Sequence, residues 1–419
     1  TRLKALKLFE RKPMPNWAKF LLDKQSAAYK RAEASWDEQR SYVCEADKAI
    51  QNIRPVISKN NSLIRVYNPL PWTRNNEDLF LENVQSGMLT ELENGETHLI
   101  ERSGRGGKVT VGQIPPVGYK TFQYTPVDTL EKNKSKKIAI ETETNVVLEN
   151  RWVIILIDRK SGEIISLYDK KGNKEWIDSQ SGIGFGEYLY DIYGKEDLLR
   201  FMKDYAYDLT DWYVNDFGKA GYPCIQGQTY YATLGNISIE NGWDWGRVVI
   251  TKHTHPESYE KYGNAQTIRT CITLKEDQKG ADICYTLHEK QETPFLEAGH
   301  FVFPLKTQCP QYRLEKMGSV INPLTDIQPK ANTRLHSCDQ WIDVQDGKLG
   351  IGFIPIDSPL VSIGEQGVLQ YADSYDPQQS TLYFNVFNNQ WGTNFPQWMG
   401  GTYAFEFRIA LHEGSWHEG

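Results

Sequence analysis

No apolar run in the 419-residue chain approaches the ~20 residues that a membrane-spanning helix requires, so no segment reads as one. Basic clusters are equally scarce. The densest, KNKSKK at Lys132–Lys137, is short and reads as a solvated linker. With 47 Lys and Arg against 54 Asp and Glu, the net charge of −7 leaves no electrostatic footprint for nucleic acid. The six cysteines, Cys44, Cys224, Cys271, Cys284, Cys309 and Cys338, never fall in a C-x-x-C spacing, so they suggest no zinc knuckle and require no disulfide framework. No secretory signal opens the chain and Thr1 is not an initiator methionine, so a processed or truncated N-terminus is expected. No internal repeat of 20–50 residues is visible.

What is present divides by periodicity. Pro13 and Pro15 break the chain and Asn16 can cap. From Trp17 to about Ala49 there is neither Gly nor Pro, and Trp17, Phe20, Leu21, Ala28, Ala32, Val43 and Ala46 recur at helical spacing. Residues 1–56 therefore read as the end of a helical bundle, since one such helix cannot bury its apolar face alone. From Ser62 the period becomes two. LIRVYNPLPW (Leu63–Trp72) and short runs at Asp78–Asn83, Thr97–Glu101, Lys108–Gln113 and Tyr119–Tyr124 predict a small β-sandwich over 57–130. A larger antiparallel β region is predicted over 138–419, with the aromatic, weakly alternating residues from Gly182 to Tyr231 read as loops wrapping one face. The expected class is mainly β.

One stretch stands apart, NNQWGTNFPQWMGG at Asn388–Gly401. Leu382, Phe384 and Val386 before it, and Tyr403, Phe405, Phe407 and Ile409 after it, alternate with period two. These flanks predict two strands of one sheet. A connection this long without structure of its own tends to be functional. Trp391 and Trp398 offer flat faces for the apolar side of a sugar ring, and Asn394 and its neighbouring amides offer donors and acceptors for hydroxyls. The same aromatics would equally plug the end of a sandwich. ENGWDWGR (Glu240–Arg247) places Trp243 and Trp245 on one strand face, as a sugar platform or as core between sheets. His253-Thr254-His255 is the nearest approach to metal-ligand spacing, and no metal is assigned to it.

Several segments together resemble glycoside hydrolase family 38, the α-mannosidases. VYNPLPW (Val66–Trp72) looks like the strand and turn that open the family's β region, and IPPVGYKTF (Ile114–Phe122) resembles the closing strand of its small domain. LENRWVIILIDRKSGEIISLYDKKGNKEW (Leu148–Trp176), EAGHFVFPL (Glu297–Leu305) and WIDVQDGKLGIGFIPIDSPLV (Trp341–Val361) are similar to later family segments. NNQWGTNFPQW resembles a loop of a bacterial branch. The order and spacing run through residues 63–409. The resemblance implies a large β-supersandwich of galactose-mutarotase-like type, and a chain that matches only the family's C-terminal half.

Such enzymes begin with an α/β catalytic domain bearing an H-x-D zinc motif and an aspartate nucleophile, and no H-x-D occurs here. Zinc is therefore expected in that absent domain and no cofactor in this chain, which by itself is expected to be inactive. The parent is expected to be a soluble retaining glycosidase of the bacterial cytoplasm or periplasm. Its partners would be an α-mannoside-like glycan, its own N-terminal catalytic domain and, as a further option, a second copy. GEYLYD (Gly186–Asp191) occupies the place of a family segment whose tyrosine approaches the sugar. The matching residue is Tyr188, although Glu187 replaces a small residue. Glu297, matched by motif, suits vicinal hydroxyls as a bidentate acceptor. Two other readings stay open: a stand-alone carbohydrate-binding, structural or oligomerisation module, and a mutarotase-like enzyme using His288, His300 and Glu297.

Overall fold

The structure is a computed structural model that describes residues 24–53, 62–75, 77–82, 84–103, 106–127, 137–205, 225–242, 244–293, 295–391 and 398–418. They form two compact units, one of residues up to Glu38 with those from Lys137 onward, the other of Gln39–Lys136. The helix α1 (Ala27–Ile53) is the first described element. Residues 1–23, where the predicted helix begins, lie outside the described residues.

In the smaller unit, β1 (Leu63–Asn68), β2 (Glu77–Glu82), β3 (Gly87–Glu91), β4 (Thr97–Ser103), β5 (Gly106–Val111) and β6 (Gly118–Pro126) pair in the order β1-β6-β3-β4-β5-β2. Val66 from one end of the sheet and Val109 and Val111 from the other share one core with Leu89, Ile100 and Phe122. Asn68 ends β1 and fixes the turn that Pro69 and Pro71 shape. Its amide donates to the carbonyls of Trp72, Ile114 and Pro115, and its Oδ1 accepts the Leu70 N–H.

The larger unit opens with an antiparallel meander of β7 (Ala139–Glu141), β8 (Asn145–Glu149), β9 (Val153–Asp158), β10 (Ile164–Asp169) and β11 (Lys174–Glu175). Next come β12 (Glu187–Tyr193), α2 (Lys195–Tyr205), β13 (Gln228–Tyr230), β14 (Ala232–Asn241), β15 (Trp245–Thr254), α3 (Pro256–Tyr262), β16 (Thr267–Lys275), β17 (Gly280–Lys290) and β18 (Leu296–Leu305). The chain continues with β19 (Pro310–Lys316), β20 (Ser319–Ile321), β21 (His336–Ser337), β22 (Ile342–Asp346), β23 (Leu349–Pro355), β24 (Leu360–Ile363), β25 (Ser380–Asn388) and β26 (Gly401–Glu413). A six-stranded sheet runs β13-β12-β18-β25-β24-β21, and a nine-stranded sheet runs β14-β15-β16-β17-β26-β23-β22-β19-β20. Every strand pairing given by the described residues is antiparallel, and the chain is mainly β.

The two large sheets face each other over one core. Tyr190, Phe301, Phe303 and Phe384 from the six-stranded sheet meet Ile250, Ile283, Tyr285 and Phe407 from the nine-stranded one. Tyr285 stacks on Phe301 at a centroid distance of 3.7 Å, and Phe303 meets Phe384 edge to face at 5.7 Å. The alternation of β26 reports this geometry directly. Phe405, Phe407 and Ile409 are buried, while Glu406 and Arg408 between them are not.

Two expectations need correction. β25 and β26 do not share a sheet: β25 pairs with β18 and β24, and β26 with β17 and β23. Alternation tells which face of a strand is apolar but not which strand lies beside it. The stretch from Gly182 to Tyr231 is not all loop either. Glu187–Tyr193 is a strand with both faces covered, so burial erases the alternation that would mark it.

Candidate functional site

The predicted site residues cluster by layer rather than in one cleft. On β12, successive side chains point to opposite sides. Tyr188 and Tyr190 turn into the core between the sheets. The Tyr188 hydroxyl donates to Asn264 Oδ1 at 3.0 Å, and burial pushes its pKa well above the ordinary tyrosine value. Glu187 is buried beside Lys252 at 2.5 Å. Desolvation raises its pKa, and the Lys252 ammonium opposes that rise.

Glu297 on β18 is fully buried. It takes the Lys290 ammonium at 2.6 Å and the Tyr190 hydroxyl at 2.7 Å, and its backbone N–H donates to Asn389 Oδ1 at 2.8 Å. Lys290 also donates to the carbonyls of Gln291 and Met399, each at 3.0 Å. Glu187, Tyr188 and Glu297 are thus buried and partnered between layers.

Trp398 is also internal. Its ring stacks on Tyr29 at 5.2 Å and meets Trp36 edge-on at 4.7 Å, and its Nε1 donates to Glu33 at 2.6 Å. It seats the first turns of α1, which the sequence alone left without a partner. Trp245 lies half-buried on the outer face of the nine-stranded sheet, beneath the Arg247 guanidinium at 4.8 Å, far in topology from β12. Trp243 and Asn394 lie outside the described residues.

Trp391 differs from the rest. It is half-buried and meets Tyr205 edge-on at 5.9 Å, and Tyr205 in turn meets Tyr371 at 5.8 Å. Tyr205 closes α2, stacks on Phe201 at 5.3 Å and remains 38 % exposed. Together they make an aromatic shelf from the end of α2, the loop before β25 and the loop after it. Of this group the sequence offers only Trp391 as a sugar-site candidate, with Tyr205 read as one of the aromatics in a wrapping loop. The helical moment of KEDLLRFMKDY, which buries Leu198, Phe201 and Met202, is the signal that leads to Tyr205.

The six-stranded sheet carries a second polar group on its other face. His300 Nδ1 lies 2.9 Å from Asp191 Oδ2, and Asp191 Oδ1 accepts from Thr229 at 2.6 Å. Asn385 Nδ2 approaches His300 Nε2 at 3.4 Å. His300 and Glu297 stand on opposite faces of β18, so they do not form the acid–base couple that a mutarotase-like reaction would use. His288 is on β17, in the other sheet.

No family model matches the chain, and neither does any curated protein. Among solved structures, an α-mannosidase from Enterococcus faecalis V583 matches with a TM-score of 0.54 at 11 % identity, over 92 % of this chain and 47 % of that one. A glycosyl hydrolase family 38 protein from Enterococcus faecalis matches with a TM-score of 0.46 at 12 % identity, over 85 % of this chain and 39 % of that one. A galactose mutarotase-like protein from Lactobacillus casei ATCC 334 gives 0.37 at 13 % identity, over 64 % of this chain and 100 % of that one. At these identities the first likeness concerns the fold alone. The chain spans about half the length of that α-mannosidase.

Proposed function

We propose that this chain is the carbohydrate-associated β region of a family 38-like glycoside hydrolase of α-mannosidase type. In this reading it completes and shapes the sugar cleft of an N-terminal catalytic domain that supplies the zinc ligands and the nucleophile. The observation that carries the reading is the backbone match to an α-mannosidase along 92 % of the chain. The ordered run of family-like segments from Val66 to Trp398 supports it. The shelf of Tyr205, Tyr371 and Trp391 is the surface offered to the sugar, since partly exposed rings there can stack on an apolar sugar face. The opposite faces taken by Glu297 and His300 leave the mutarotase-like alternative without geometric support.

The test compares Trp391→Ala with Trp398→Ala in the full-length protein, using methyl α-D-mannoside as the ligand. Loss of stacking at an accessible ring is worth about 0.5–1.5 kcal/mol, so Trp391→Ala should weaken binding several-fold with the melting midpoint unchanged. Trp398→Ala should lower stability by roughly 3–5 kcal/mol and leave the affinity of the folded fraction as it was. Unchanged affinity in Trp391→Ala would remove the shelf from the sugar cleft.

A further inference from the structure

Cys271 of β16 and Cys284 of β17 stand directly opposite each other in the nine-stranded sheet. Strand register, and not any spacing along the chain, brings them together. Both thiols are free and half-buried. Ile272, Ile283 and Tyr285, their neighbours in sequence, turn into the core, so both sulfurs belong to the outer face of the sheet.

Backbone direction sets the gap between them. The Glu276 N–H donates to the Asp244 carbonyl, so even-numbered residues of β16 turn their backbone groups to β15 and Cys271 turns its own to β17. The Leu411 N–H donates to the Lys279 carbonyl, so odd-numbered residues of β17 turn to β26 and Cys284 turns to β16. The two cysteines are therefore a hydrogen-bonded pair, the wider antiparallel kind, with Cα atoms about 5.5 Å apart. Their Cβ atoms fall near the upper end of the cross-strand range of about 4.5–5.5 Å. An unstrained disulfide holds its Cβ atoms about 3.8 Å apart. Two sulfur–metal bonds of about 2.3 Å each reach further. An ion held between the sulfurs fits a gap that a disulfide would have to pull shut.

The surroundings select the ion. Burial pushes the Cys271 thiol up and the Cys284 thiol up to about 11, the latter with Glu406 adding to the rise. The Arg269 and Arg247 charges pull both the other way, and Glu240 opposes them at Cys271. Both groups rest as neutral thiols, slow towards oxidants that attack only a thiolate. Among the described residues no further His, Cys, Asp or Glu converges on the pair to make a group of three. A zinc ion would lack the rest of its tetrahedral ligands there. Two thiolates with no nitrogen or oxygen donor are a ligand set that favours a soft ion. We propose that Cys271 and Cys284 form a two-coordinate site for a soft monovalent cation, Cu(I). On binding, two S–H bonds give way to two S–Cu bonds, two protons leave to solvent and no electron is transferred. The negative charge of the resulting bis-thiolate is offset by Arg247 and Arg269.

The experiment is an anaerobic titration of the reduced chain with Cu(I), followed by near-ultraviolet sulfur-to-metal charge-transfer absorption and by proton release into a weak buffer. The chain carries Cys44→Ser, Cys224→Ser and Cys309→Ser, which leaves only the buried Cys338 beside the pair. One ion per chain is expected, with two protons released. Adding Cys271→Ser or Cys284→Ser should each weaken binding by about a hundredfold or more. Both positions lie on the outer face, and if one variant does not fold the other decides the matter. No charge-transfer band at one equivalent, zinc bound as tightly as Cu(I), or undiminished affinity in a folded Ser variant would overturn the proposal.

Discussion

Replacing Lys290 by Met tests the internal clamp of the larger unit. The Lys290–Glu297 pair is fully buried on both sides, with the ammonium 2.6 Å from the carboxylate and within 3.0 Å of two backbone carbonyls. Met matches the length of the lysine stem, so the loss is one of charge and hydrogen bonds and not of volume. It strands the Glu297 carboxylate in the interior and leaves the Met399 carbonyl without its donor. Breaking a buried pair from one side costs roughly 3–5 kcal/mol, most of it desolvation of the remaining charge. With a urea slope of about 3 kcal/mol/M, the unfolding midpoint should fall by about 1–1.7 M. Lys290→Met combined with Glu297→Gln removes both charges, and Gln can still accept from the Tyr190 hydroxyl. The double variant should therefore recover at least half of the loss. The assay is urea unfolding followed by tryptophan fluorescence and far-UV circular dichroism, with the coincidence of the two probes checked first. A single variant within 1 kcal/mol of wild type, or a double variant as unstable as the single one, would refute the assignment of the cost to an unpaired charge.

Three further outcomes follow from other residues. His336 is buried, and desolvation, with the Lys316 charge adding to it, lowers its pKa from 6.5 to about 4. Its folded pKa lies below its unfolded one, so its contribution is complete above pH 6.5 and is lost as pH falls towards 4. The loss amounts to about 3 kcal/mol, readable as a pH-dependent urea midpoint that flattens in His336→Leu. Gly350→Ala should cost stability, because the added methyl meets the His412 ring at 2.1 Å, and the His412 side-chain resonances should shift with it; an unperturbed ring would show that β23 yields instead. The chain alone should not hydrolyse aryl α-mannosides with or without zinc, and turnover that survives repurification and depends on one of its residues would sink the proposed division of labour.

How much of this was legible in the sequence depended on whether a strand shows a solvent face. Phe405, Phe407 and Ile409 alternate with uncovered residues, and β26 could be read from them. β12 and β18 are covered on both faces. Glu187–Tyr193 therefore offered no period, and its polar members looked like loop residues. The candidate site suffered from the same blindness. A glutamate, a tyrosine and a tryptophan that suit sugar chemistry suit an internal clamp equally well, and only the third dimension separates Trp391 from Trp398. Asp191 and Lys290 drew no notice, because their partners His300 and Glu297 are set by strand register and turn path, which composition does not encode. Gly350 and Gly352 looked like ordinary strand punctuation until their cross-strand neighbours were known.

The position of β26 has a consequence for the order in which the molecule can be assembled. Within the nine-stranded sheet, β14–β17 form one block and β23, β22, β19 and β20 another, and the two meet only through β26. That strand comes after all the others in the chain, so a nascent polypeptide lacking residues 401–413 holds two finished blocks with open edges at β17 and β23. Each edge presents a row of unpaired N–H and C=O groups, and both await the same insertion. Folding of the sheet is thereby deferred until Gly401–Glu413 is available, through contacts of long sequence separation that close slowly. A chain cut short before Gly401 should not yield a slightly weakened domain. It should yield two sticky half-sheets competing to pair with copies of themselves.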